Sequence, residues 1–203
     1  LRKIKPSLAQ FFLSVAGLVV FNLSYAQCST SADPASITGS NCPNVVINTN
    51  KSELIVQQGG YVGTTAWLPN PALEIQNSTL GTLNNYGVIQ GQTQNTAGIL
   101  LSGNAAITNL NNASQINGAQ YAIQLTGSSS IGTITNAGTI INNGNNAYAQ
   151  SIFLSTANGS TSINLIQNSG AINGSNGAIY LDTASGSNKA SINTINNTGT
   201  ING

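Results

Sequence analysis

The sequence contains no histidine and only four carboxylate side chains among its 203 residues. Without histidine, a serine or cysteine nucleophile has no imidazole base beside it, and imidazole metal ligands are excluded too. The four acids are Asp33, Glu53, Glu74 and Asp182. Only Glu53 and Glu74, about one repeat apart, are candidates for a catalytic pair. Because surface acids of this kind are usually solvated, the sequence predicts neither an enzyme nor a bound metal or cofactor.

Charged residues are also scarce, at 4% of the chain. The formal net charge is +1, but Arg2, Lys3 and Lys5 all lie at the N-terminal end. The remaining cations are Lys51 and Lys189, which are outnumbered by the four acids. Nucleic-acid binding needs a basic surface that neutralises phosphates, so we expect no nucleic-acid partner.

Residues 1–26 have the pattern of a helical signal peptide. Basic residues precede an apolar run from Phe11 to Phe21, and Ser24 and Ala26 supply the small residues expected before a cleavage site. The alternative is a membrane anchor, but the run is about half of the roughly 20 residues that span a bilayer. We therefore expect an exported protein, located at the cell surface or outer membrane or secreted.

Cys28 and Cys42 are the only cysteines, and they lie just after the expected cleavage site. In an exported protein such a pair is expected to form a structural disulfide. A redox or metal pair lacks suitable partners in this chain, and residues 25–27 fit a lipoprotein anchor poorly. We interpret residues 27–79 as an N-terminal cap with this disulfide and a degenerate first coil, in which Val56 is expected to align with Leu83.

Residues 80–203 contain five copies of the pattern I-x-x-I-x-N-x-G-x-I-x-G, at 80–91, 107–118, 131–142, 163–174 and 192–203. A second pattern, small-I-x-L, lies between the copies at 98–101, 122–125, 151–154 and 178–181. Short apolar pieces separated by Gly and Asn favour strands and turns over helices. A repeat of this period predicts an all-β fold, a parallel β-helix (β-solenoid) of about five to six coils.

Stacked coils place equivalent residues above one another at the spacing of neighbouring strands. The recurring asparagine of the pattern can then form a hydrogen-bonded ladder along the axis, and the isoleucine or leucine two residues before it can form the core. The predicted ladder is Asn85, Asn112, Asn136, Asn168 and Asn197. The predicted core stack is Leu83, Leu110, Ile134, Ile166 and Ile195.

The segments between the repeats differ in length and are rich in Ser, Gly, Asn and Ala. Insertions in a repeat protein map to loops on one face, which is often the binding face. Because Gly203 falls in the middle of a coil, we expect the sequence to be the N-terminal part of a longer protein.

The N-x-G-x-I-x-G repeats, following a signal peptide and a short segment with two cysteines, resemble the passenger domain of a bacterial autotransporter of the type V secretion class. The resemblance covers roughly residues 27–203. It implies a C-terminal β-barrel translocator outside this sequence, and an adhesin-like or structural role with a host-cell or glycan ligand. No protease or esterase motif of enzymatic passengers is found in the chain.

Two other functions fit a secreted solenoid. One is a two-partner secreted haemagglutinin-like adhesin, which shares the architecture. The other is an ice-binding solenoid, which needs regular T-x-T files on a flat face. Thr133 and Thr135 provide one such pair, but the following copies have Leu165 with Gln167 and Thr194 with Asn196, so the file is expected to be broken.

Overall fold

The computed structural model describes residues 28–39, 41–63, 70–92, 96–144, 148–182 and 186–203. The expected signal peptide, residues 1–26, lies outside these ranges. The described residues form strands joined by turns, with no helix among them. This part of the chain therefore contains no helix that is long and apolar enough to cross a bilayer.

In chain order the strands are β1 (Ala35–Ile37), β2 (Val45–Ile47), β3 (Lys51–Val56), β4 (Tyr61–Gly63), β5 (Leu73–Gln76), β6 (Thr79–Asn85), β7 (Val88–Gln90), β8 (Ala97–Ser102), β9 (Ala106–Asn112), β10 (Gln115–Gly118), β11 (Tyr121–Leu125), β12 (Ser130–Asn136), β13 (Thr139–Asn142), β14 (Gln150–Leu154), β15 (Thr161–Asn168), β16 (Ala171–Asn173), β17 (Ile179–Leu181), β18 (Ala190–Asn197) and β19 (Thr200–Asn202).

These strands form three parallel sheets. Sheet A has the order β1-β3-β6-β9-β12-β15-β18, sheet B the order β4-β7-β10-β13-β16-β19, and sheet C the order β2-β5-β8-β11-β14-β17. Each coil passes once through sheets A, B and C, and each strand pairs with its equivalents in the neighbouring coils. The all-β fold and its parallel β-solenoid architecture, with about five complete coils from β3 to β17, are therefore confirmed.

The core is built from files of Ile, Leu and Val that run parallel to the axis. In β12 both Ile131 and Ile134 are buried, although residues three apart on a regular strand point to opposite faces. The pairing of β12 with its neighbours passes over Gly132. A local break in the strand at this point lets both isoleucines face inward, which explains the I-x-x-I spacing.

The first complete coil shows a different register from the one expected. Leu54, not Val56, pairs with Leu83, and Val56 pairs with Asn85. The turn after β3 has four residues, 57–60, whereas the turn after β6 has two, Tyr86 and Gly87. The longer turn adds two residues between β3 and β4, so residues before it lie two positions further from their equivalents in the next coil than residues after it. The expected alignment of Val56 with Leu83, which assumed one constant spacing, was therefore wrong.

The N-terminal segment is continuous with the solenoid. β1 pairs with β3, and β2 pairs with β5, so residues 35–63 already supply strands to all three sheets. Cys28 and Cys42 are joined by a disulfide with their Cα atoms 5.3 Å apart. Cys42 is buried and bridges to Val62 of the first complete coil, which ties the N-terminal loop to the end of the core.

The corner between sheets C and A contains stacked glycines. Gly103 and Gly127 have φ angles of 69° and 70°, in the left-handed region that favours glycine. A Cβ on Gly127 would lie 2.5 Å from the carbonyl oxygen of Gly103. The close approach of these two backbones therefore needs glycine for its space as well as its conformation.

We expect Gly127→Ala to lower the free energy of unfolding by about 3 kcal/mol, because it adds a backbone clash to the strain of a left-handed conformation. Gly59 is the matched control, since its φ is 80° and no atom lies within 4 Å of the place that a Cβ would occupy. Gly59→Ala should lose only the strain, about 1 kcal/mol. Urea unfolding followed by circular dichroism measures both, and equal losses would contradict the role of packing.

Candidate functional surfaces

The five asparagines of the repeat form one hydrogen-bonded file. The Nδ2 atom of each donates to the Oδ1 atom of the next, at 2.7 Å in all four links from Asn85 to Asn197. Nδ2 of Asn136 also donates to the carbonyl of Ala171 in the following coil, at 3.1 Å. The first four asparagines are buried and Asn197 is exposed. The file therefore bridges consecutive coils within the interior.

The file begins at Asn85, whose Oδ1 atom is buried and has no hydrogen-bond partner within the described part of the chain. Val56 occupies the equivalent position in the preceding coil and supplies no donor. The ladder therefore has a polarity, with its acceptor end facing the N-terminal coils and its donors facing the C-terminal ones.

The core stack is continuous over four of its five residues. Leu83, Leu110, Ile134 and Ile166 are fully buried. Ile195 continues the same register file, since it pairs with Ile166, but it is 45% exposed. It lies in β18, which has a neighbouring strand of sheet A on one side only, and its other side is uncovered.

Glu53 and Glu74 lie on different sheets of the solenoid. Glu53 lies on sheet A and accepts a hydrogen bond from Asn84 at 2.6 Å, whereas Glu74 lies on sheet C and accepts one from Ser102 at 2.9 Å. No group of three metal-ligating side chains occurs among the described residues. Glu53 and Glu74, the candidate pair from the sequence, thus belong to different sheets and are hydrogen-bonded to different partners.

Asp33 accepts two hydrogen bonds from Ser52, at 2.6 Å from the hydroxyl and 2.8 Å from the backbone. The hydroxyl bond, followed by the backbone bond, holds the pKa of Asp33 below its ordinary value. A lowered folded-state pKa stabilises the fold above the ordinary pKa, and this contribution is lost as the pH falls through the lowered value. Acid is therefore expected to loosen the contact between the N-terminal loop and β3.

The described outer face of sheet A is mostly polar, with Glu53 as a charged residue and with Ile55 and Leu165 as apolar ones. Amides bond across coils, as in the donation from Asn111 to Asn84 at 2.8 Å. Thr133 and Thr135 pair with Asn109 and Asn111 in one neighbouring coil and with Leu165 and Gln167 in the other. Threonines thus do not form continuous files on this face, and its geometry gives no support to ice binding.

The outer face of sheet C carries an aromatic stack. The rings of Tyr121 and Phe153 lie 4.6 Å apart and nearly parallel, and those of Phe153 and Tyr180 lie 5.7 Å apart. Burial, with a smaller effect from the charge of Asp182, raises the pKa of Tyr121. The stack therefore links three consecutive coils through their rings, and its last member, Tyr180, is 47% exposed.

A groove lies at the corner between sheets A and B. This groove, here called the corner groove, has a volume of about 490 Å³ and is lined by Gln57, Gln58, Tyr86, Ala113 and Ser114.

A second groove of about 410 Å³ lies near the disulfide and includes Lys51. The Nζ atom of Lys51 donates to the carbonyls of Ser31 and Ala32. The cation of the second groove is thus already bound by the chain itself.

Sequence reasoning missed the corner groove, although a signal for it exists. In the copies of the repeat, the residue after the ladder asparagine is Tyr86, Ala113, Ala137, Ser169 or Thr198. One bulky aromatic among small residues marks a corner whose surface differs from that of the other coils.

Comparisons of the chain with family models, with curated proteins and with solved structures gave no match. The functional interpretation of the chain therefore depends on its fold and its surfaces.

Proposed function

We propose that the chain is a passenger segment of an autotransporter-type protein, exported and displayed at the cell surface or secreted, with an adhesin-like or structural role and no catalytic activity. The observation that supports this proposal best is the continuity of the asparagine ladder and the core files through consecutive coils. Seven strands of sheet A, at about 4.8 Å per step, extend for about 29 Å along the axis. Such a solenoid can hold a binding surface away from a membrane.

A solenoid of this kind is expected to be rigid because every coil is held by contacts with the coils next to it. Each coil buries its apolar side chains against the coils on either side, and its amides bond to theirs, so stability accumulates with every added coil. The few charges described leave the outer faces dominated by neutral polar groups. These properties suit a spacer or an adhesive surface and do not depend on any single catalytic side chain.

Export is tested by joining the whole chain to a C-terminal β-barrel translocator and expressing it in a Gram-negative host. We expect an antibody against the solenoid to label intact cells, and external protease to remove it. The matched control lacks residues 1–26 and should remain inside the cell. Retention of the intact fusion in the cytoplasm would contradict the proposal.

The adhesive role is tested separately, by comparing cells that display the fusion with cells that display the barrel alone. We expect the fusion to increase attachment to epithelial cells or to glycan-coated surfaces. Equal attachment by the two strains would leave the structural role and eliminate the adhesin-like one.

A further inference from the structure

The corner groove exists because two turns of different length meet there. The turn of the first coil, 57–60, is closed by a 2.8 Å hydrogen bond from the backbone of Gly60 to the carbonyl of Gln57. The next two coils turn in two residues each, at 86–87 and 113–114. The longer turn adds Gln57 and Gln58 to one wall of the groove, and the shorter ones form its opposite side.

Tyr86 belongs to the first of the two shorter turns and lines the groove with 51% of its surface exposed. Its backbone nitrogen donates to the carbonyl of Val56 at 2.8 Å, which fixes the position of the residue. The equivalent position in the following coil is Ala113, whose methyl group cannot cover an aromatic ring. Tyr86 therefore keeps an apolar surface open to solvent inside the groove.

The polar groups of the corner groove are neutral. Gln57 donates its amide to the hydroxyl of Ser36 at 3.3 Å, whereas the side chains of Gln58 and Tyr86 make no hydrogen bond with the described residues. An unengaged amide can both donate and accept, and so can a phenol hydroxyl. Among the residues that the structure describes, no lysine, arginine or carboxylate lines the groove, so these residues provide nothing to balance a charged ligand.

We propose that the corner groove binds a neutral saccharide, with one sugar ring packed against Tyr86 and its hydroxyls bonded to Gln58 and Ser114. An aromatic surface next to a few convergent neutral polar groups matches the alternating apolar and hydroxyl faces of a sugar, and about 490 Å³ is within the range of ligand sites. The groove is open, so binding is weak for one site, with a Kd on the order of 1 mM.

The saccharide site rests on the surface role proposed above, because a surface protein is the kind that meets extracellular glycans. Binding by the purified protein does not require export, however. Failure of the export experiment with retained saccharide binding would eliminate the autotransporter assignment alone, and the reverse result would eliminate the saccharide site alone.

The experiment measures saturation-transfer NMR and titration calorimetry of the purified chain with cellotetraose, maltotetraose and chitotetraose, and with a heparin-derived tetrasaccharide as the anionic comparison. We expect at least one neutral tetrasaccharide to bind and the anionic one to bind more weakly. Tyr86→Ala should weaken that binding about tenfold. Tyr86→Phe keeps the ring and should weaken it by no more than about threefold.

Tyr180→Ala is the matched control, since Tyr180 is 47% exposed on the other side of the solenoid, and it should leave binding unchanged. Gln58→Ala tests the amide independently of the ring and should weaken binding severalfold. The proposal is overturned if no neutral tetrasaccharide binds, if the anionic one binds more tightly, or if Tyr180→Ala removes binding while Tyr86→Ala retains it.

Discussion

Replacement of Ile134 by aspartate is expected to unfold the central coils. Ile134 is fully buried and pairs with Leu110 on one side and Ile166 on the other. An ionised carboxylate placed there meets no cation among the described core residues and cannot be solvated without separating the coils. The loss should exceed about 4 kcal/mol, a large part of the roughly 5 to 15 kcal/mol that typically stabilises a domain.

The effect of Ile134→Asp should depend on pH in a defined direction. Burial raises the pKa of an introduced carboxyl above its ordinary value of about 3.9. A folded-state pKa raised above the unfolded one means that the folded state binds more protons, so the deficit relative to the original chain shrinks as the pH falls through the raised value. Urea unfolding at several pH values, followed by the strand signal in circular dichroism, measures this change.

Ile195→Asp is the matched control, because Ile195 belongs to the same register file but is 45% exposed. Its loss should stay within about 1 kcal/mol. If Ile134→Asp unfolds at the urea concentration of the original chain, the inward orientation of this file is incorrect.

The fold could be inferred from the sequence because its signal is repeated. One copy of I-x-x-I-x-N-x-G is compatible with several structures, but five copies at intervals close to one coil leave few alternatives to stacked strands. The asparagines lie in a single file because their position is fixed between an inward isoleucine and a tight corner. Repetition thus converts weak local preferences into a prediction of register.

What could not be inferred depends on local departures from the repeat. The four-residue turn after β3 makes the spacing to the next coil differ before and after it, so that Val56 pairs with Asn85 and not with Leu83. The spacing alone does not distinguish this from a substitution of leucine by valine. The exposure of Ile195 follows from its place in the last strand of sheet A. For the corner groove the sequence offers Tyr86 as the one bulky residue at its position, but the groove itself also requires the shapes of two adjacent turns, which the repeat pattern does not give.

Removal of one ladder amide is the second substitution expected to have a large effect. Asn136 is fully buried, accepts a hydrogen bond from Asn112 and donates one to Asn168, both at 2.7 Å. Asn136→Ala leaves the Oδ1 atom of Asn168 without its donor in the interior and opens a small cavity. An unsatisfied buried group and the lost contacts together should lower the free energy of unfolding by about 3 kcal/mol.

The matched control is Asn164→Ala, because Asn164 also joins two coils through an amide, accepting from Asn193 at 3.0 Å, but is exposed. Water replaces an exposed hydrogen bond, so the loss should remain within about 0.5 kcal/mol. Similar losses for Asn136→Ala and Asn164→Ala would mean that the buried ladder contributes no more than the surface amides, and that apolar packing alone sets the register of the coils.

Asn136→Asp tests the contribution of the hydrogen bond to stability while the volume of the side chain stays nearly the same. It preserves the shape but replaces the donor that faces Asn168 and the carbonyl of Ala171 with an acceptor. At neutral pH its loss should therefore exceed that of Asn136→Ala. Protonation restores a donor, so its stability should recover as the pH falls, whereas that of Asn136→Ala should not. A pH-independent difference between the two variants would show that the ladder acts through packing and not through its directed hydrogen bonds.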